Sequence, residues 1–130
     1  DPPRYKEQTV TDWPDRLPGL NIKMALTQLG GKKNLLLRLL SMFSENHSQD
    51  VNNLLNAAKN QDQKAVHEIN HALKGVTANL AADELSQLCI DLDVKLKSEQ
   101  PDISQELNAM PVAMDTLLAS IKDAVQLPID

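Results

Sequence analysis

From Leu20 onward the apolar residues recur at the spacing of a helix rather than a strand. Ile22, Leu26 and Leu29 fall at i, i+4 and i+7, and Gly30-Gly31 then stops a short helix. Leu36, Leu40, Phe43, Val51, Leu54 and Ala58 form the stripe of a longer second helix, with His47 at a gap in that stripe. Asn60-Gln61-Asp62 is the next break, and Asp62 is placed to cap a third helix running to about Asn79. The apolar positions of that helix are Val66, Ile69, Leu73, Val76 and Leu80. A fourth carries Leu85, Leu88, Cys89, Leu92 and Leu96. Pro101-Asp102 opens a last helix, with Asp102 and Gln105 as a variant capping box. Its face is Ile103, Leu107, Met110, Met114, Leu117, Ile121 and Val125, and Pro111 inside that pattern is expected to kink or split it. Short connections between one-faced helices predict an all-α antiparallel four-helix bundle with a short extra N-terminal helix.

Composition agrees with the pattern. The 130 residues are 42% hydrophobic, yet include one Trp, one Tyr and one Phe, so the core is aliphatic. Residues 1–18 hold four prolines and read as a linker or an arm lying on the domain, with Trp13 covering an edge of the core. The bundle is expected over residues 19–127. A net charge of -5 without a basic patch argues against nucleic acid as a partner. A lone Cys89 excludes an internal disulfide and reads as core filling. No apolar run approaches the roughly 20 residues that span a bilayer, so no direct membrane contact is expected. The opening Asp1-Pro2-Pro3 suggests a domain cut from a longer protein.

The candidate chemistry lies on the third helix. At about 100° per residue, His71 stands roughly 200° from Ile69 and points to solvent. Lys74, Gly75 and Ala78, at i+3, i+4 and i+7, share its outer face, and His67 lies one turn before it. Glycine in a helix interior costs about 1 kcal/mol relative to alanine. Gly75 and Ala78 therefore suggest a patch kept clear for close approach by a partner. Imidazole, with a reference pKa of about 6.5, offers a free lone pair near neutral pH. Such a nucleophile can attack an acyl phosphate while a neighbouring lysine balances the phosphoryl oxygens.

His71-Ala72-Leu73-Lys74-Gly75 resembles the His-x-x-Lys-Gly signature of histidine-containing phosphotransfer (HPt) domains. Leu17-Pro18-Gly19-Leu20, Ala25-Leu26 and Leu29-Gly30-Gly31 resemble the opening of such domains at the C-terminus of hybrid sensor kinases. Asn79-Leu80-Ala81-Ala82 and Leu92-Asp93 fit as well, so the resemblance runs from about Leu17 to Lys97. Ala81, where many members have Gly, and Asp93, where Glu is commoner, depart from it. The resemblance implies a phosphorelay intermediate without catalytic activity of its own. His71 would be the phosphoacceptor, Lys74 the phosphoryl-stabilising cation, and Gly75, with Ala78 and His67, part of the docking surface. It implies receiver domains as partners, one in its own kinase and one in a response regulator. No cofactor is expected, with Mg2+ carried by the receiver. A monomeric, cytoplasmic module of a kinase anchored in the inner membrane completes that expectation.

Three other readings compete. His67-Glu68-Ile69-Asn70-His71 is a literal His-Glu-x-x-His match, the zinc-site motif of metalloproteases. A third ligand is missing from the expected positions, which hold Lys74 and Thr77, and only Glu84 or Glu99 stand in reserve. A bundle that binds receivers without taking phosphate is the second. The third is a kinase dimerisation domain, disfavoured because this chain has enough helices to close its own bundle.

Overall fold

A computed structural model describes residues 13–129; most of the proposed arm, including Tyr5, lies outside the described residues. Among these residues there are six helices and no strand. They are α1 (Ile22–Gln28), α2 (Lys33–His47), α3 (Asp50–Lys59), α4 (Gln63–Asn79), α5 (Asp83–Lys95) and α6 (Ser104–Ala124). Helix α4 packs between α3 and α5, and α6 closes the ring against α5, α3 and α2. The short α1 sits beside α2. The four-helix bundle with an extra N-terminal helix is thus the observed architecture. None of these helices is long and apolar enough to cross a membrane.

The core is one aliphatic cluster. Leu36, Leu40 and Phe43 enter it from α2, Val51 and Leu54 from α3, Val66 and Leu73 from α4. Leu85, Cys89 and Leu92 come from α5, and Met110, Met114, Leu117 and Ile121 from α6. Burial pushes the Cys89 thiol up to about 12, so it stays protonated and acts as a small apolar filler.

Three expectations need correction. The predicted second helix is two, because α2 ends at His47 and α3 begins at Asp50. The break is local: Ser48 and Gln49 keep near-helical backbone angles, and His47 Nδ1 lies 2.8 Å from Asp50 Oδ2 across it. Asp102 and Gln105 form no capping box. Asp102 instead accepts from the backbone N–H and the hydroxyl of Ser104, and α6 starts there. Pro111 neither splits nor ends α6, which runs unbroken past it; the ring removes only the bond that Leu107 would have accepted. Lys95 reaches the buried Glu106 with Nζ 2.7 Å from Oε2 and ties α5 to α6.

Trp13 to Pro18 lie on the bundle. Trp13 packs against the core edge, and its indole N–H donates to the Pro128 carbonyl at 2.8 Å. Arg16 grips Asp83, in the first turn of α5, through two hydrogen bonds of 3.0 and 3.1 Å. The Ser120 hydroxyl donates to the Pro18 carbonyl.

Helices α3 and α4 both end on residues in the left-handed region, Gln61 (φ 57°) and Ala81 (φ 56°). That conformation costs a non-glycine residue roughly 1–2 kcal/mol, partly offset by glycine's larger unfolded-state entropy. Gln61 is exposed, whereas the Ala81 methyl is buried. Gln61→Gly is therefore expected to stabilise the fold by about 0.5–1 kcal/mol, measured as a shift of the urea midpoint. Ala81→Gly should gain less, because it also gives up a buried methyl worth about 0.8 kcal/mol.

Candidate phosphoacceptor site

Helix α4 starts at a side-chain cap, with the Ala65 N–H donating to Asp62 Oδ1 at 3.1 Å. Its roll about its own axis is set by four inward residues: Val66, Asn70, Leu73 and Thr77. Two of them are polar and fully buried, and each makes a hydrogen bond, although Asn70 Oδ1 has no partner among the described residues. The Asn70 amide donates to the Cys89 carbonyl of α5 at 2.9 Å. The Thr77 hydroxyl donates to the Leu73 carbonyl of its own helix at 2.8 Å. Ile69 and Val76 are only half-buried. The inward direction therefore differs by about 60° from the one that the apolar positions alone define.

This roll decides what the outer face shows. His71, Ala72, Gly75 and Ala78 are exposed. The backbone at Gly75 is helical, and a Cβ built there would meet nothing within 4 Å. Nothing inside the protein requires glycine at that position. His67 is 59% exposed, and its ring lies 6.3 Å from that of His71, tilted by only 22°. Two exposed methionines flank the cleared strip. Met24 of α1 borders a groove with Ala78, and Met42 of α2 borders another with Val76 and Asn79. Sequence reasoning passed over both; the available signal was a large apolar residue standing off its helix's stripe.

Lys74 departs from expectation. It is not a solvent-facing neighbour of His71 but a half-buried residue at the α4–α5 seam, with Nζ 3.0 Å from Asp93 Oδ2. Asp93 is 15% exposed and serves several cations, with Lys97 Nζ at 4.0 Å and His67 Nδ1 at 3.9 Å from its two oxygens. The Lys74 hydrogen bond, helped by the charges of Lys74, Lys97 and His67 and opposed by burial, holds the Asp93 carboxyl below its ordinary range. Sequence reading noted Asp93 only as a departure from a family pattern. Its position 19 residues after Lys74 gives no local periodic signal, because the pair bridges two helices.

The zinc reading fails on geometry. Among the described residues, no three His, Cys, Asp or Glu side chains are grouped so that they could hold a metal ion. The carboxylate nearest to His67 is Asp93, already committed to Lys74. Glu84 and Glu99 do not join the two histidines.

The depressed Asp93 carboxyl makes a pH prediction. A lowered folded-state pKa contributes stability that is complete above the ordinary aspartate value of about 3.9 and is lost as pH falls through the lower folded value. Asp93→Asn is therefore expected to be less stable than the parent near neutral pH. The gap in urea midpoints should close as the pH is taken below the ordinary aspartate value and through the lower folded one.

The family model described as "Hpt domain" matches residues 38–125, more than half of the chain and the whole of the cluster above. None of the curated proteins matches the chain. Among solved structures, the HPT domain from a Hpt sensor hybrid histidine kinase of Shewanella superposes with a TM-score of 0.78. The match covers 86% of this chain and 97% of that one at 23% identity, a likeness of fold. The chain belongs to the Hpt domain family, the histidine-containing phosphotransfer modules of two-component signalling.

Proposed function

We propose that His71 is the residue that carries the phosphoryl group, received from the aspartyl phosphate of one receiver domain and passed to the aspartate of a response regulator. The observation that carries this reading is the emptiness around it. An exposed imidazole stands beside a helix-interior glycine that the fold itself does not need, in a module of a phosphotransfer family. Gly75 and Ala78 would let a second protein's loops come close to the α4 backbone, with Met24 and Met42 as adaptable apolar contacts at the rim.

The chemistry asks little of this chain. The unprotonated ring nitrogen of His71 attacks phosphorus, an N–P bond forms, and the P–O bond to the receiver's carboxylate breaks. The carboxylate leaves with the electron pair, and the imidazole keeps its proton on the other nitrogen. Lys74, one turn further along α4, supports the phosphoryl oxygens, drawn from its pair with Asp93. Any Mg2+ belongs to the receiver in this reading, and the module acts as a monomer. The Shewanella domain comes from a sensor hybrid histidine kinase; this module would belong to a parent of that kind, on the cytoplasmic side of a membrane anchor. One receiver would lie in that parent and another in a response regulator.

Incubation with a phosphorylated receiver should label the domain on one histidine, stable to base and labile to acid. His71→Gln should abolish the label and leave the helical circular dichroism unchanged, because the side chain is exposed. Label that survives this change would show that another residue carries the phosphate. Lys74→Ala should slow transfer by about tenfold or more while the domain stays folded. Gly75→Leu should block transfer by filling the docking space, yet raise stability by up to about 1 kcal/mol. Normal transfer by that variant would refute the close-approach argument.

A further inference from the structure

His67 and Glu68 of the His-Glu-x-x-His motif take no part in the transfer step itself, and of the two, His67 stands beside the charged cluster. Its ring stands one helical turn from His71, nearly parallel to it at 6.3 Å, and it is 59% exposed. Its Nδ1 lies 3.9 Å from Asp93 Oδ1, beyond hydrogen-bond length, so the carboxylate attracts the ring without locking it. Asp93 in turn has more cations than it can neutralise, with Lys74 at 3.0 Å and Lys97 at 4.0 Å. The cluster carries excess positive charge in the resting protein. A phosphoryl group on His71 would bring about two negative charges to its edge.

We propose that His67 is a positioning residue for the phosphorylated state, taking up a proton when His71 is phosphorylated and turning that proton toward the phosphoryl oxygens. This inference rests on His71 being the phosphoacceptor. Lys74 is shared with Asp93, and Lys97 holds the far side of the same carboxylate. His67 is thus the cation-forming group on the exposed face that can reorient without breaking a hydrogen bond. The proton comes from solvent and no bond to phosphorus changes. Phosphorylation and protonation then favour each other by linkage. Two charges on one side and one on the other, at about 6 Å and screened by physiological salt, correspond to a factor of about three in affinity.

The surroundings of His67 are few. On α5 it faces Asp93 and, beyond that, Lys97. On α4 its neighbours within about a turn are Lys64, Glu68 and His71, with Lys74 reached through Asp93. The His47–Asp50 pair of α2 and α3 lines a groove with Glu68 and Ala72, on the other side of α4. The Cys89 thiol, pushed up to about 12, does not titrate in this range.

The test is the phosphate-exchange equilibrium between this domain and a receiver, measured between about pH 8 and about pH 6 for the parent and for His67→Gln. The receiver's own titration cancels in the parent-to-variant ratio. That ratio should rise about threefold toward the phosphorylated domain as the pH falls. In parallel, the His67 ring signals in NMR should titrate at higher pH in the phosphorylated domain than in the free one. A flat ratio, or one His67 midpoint in both states, overturns the inference while leaving the relay intact. Absence of label on His71 overturns both.

Discussion

One polar side chain that points inward, Asn70, ties the roll of helix α4 to its neighbour. Asn70 and Thr77 are both fully buried, but only the partner of Asn70 lies on another helix. Asn70 reaches across to the Cys89 carbonyl, and Thr77 turns back on the Leu73 carbonyl. Rolling the helix by one side chain in either direction would break the Asn70 bond, at a cost of about 1–3 kcal/mol, whereas the Thr77 bond would turn with the helix. The hydrophobic effect has no direction and would accept a range of rolls. The Asn70 bond to α5 selects among them, and with that selection the outward arc is centred on His71 and Gly75 while Lys74 is carried to the α5 seam.

Much of this was legible in the sequence. Periods of three and four residues located the helices, and the glycine pair and Asp62 located their ends. An exposed histidine with a glycine one turn on marked the open outward face of α4. What was not legible has physical reasons. Asn70 and Thr77 are core residues that no apolar pattern can reveal. The α2–α3 break has no glycine or proline, only the contact between His47 and Asp50. Pro111 signals a kink, but packing on both flanks carries α6 past it. Asp93 gathers its partners from another helix, and Glu106 is buried because Lys95 can reach it. Pairings between helices leave no trace in local spacing.

The site is built mostly by subtraction. C-terminal to His71 the outward side chains of α4 are short, and the one nearby lysine is shared with a carboxylate rather than aimed at the ring. Under the proposed reading the domain offers a nucleophile, space, and a reserve of positive charge held at the edge by Asp93 and its cations. This would suit a group taken from one protein and given up to another, because a tight phosphate pocket would stabilise the intermediate and slow its departure.

The Trp13–Pro128 hydrogen bond has a mechanical consequence. It joins the first described residues to the last, so the two ends of the bundle leave it side by side. Tension applied through these ends pulls first on that contact and, through the Arg16–Asp83 pair, on the first turn of α5. Helix α4 carries neither contact, so the face around His71 is not on the direct line of that load.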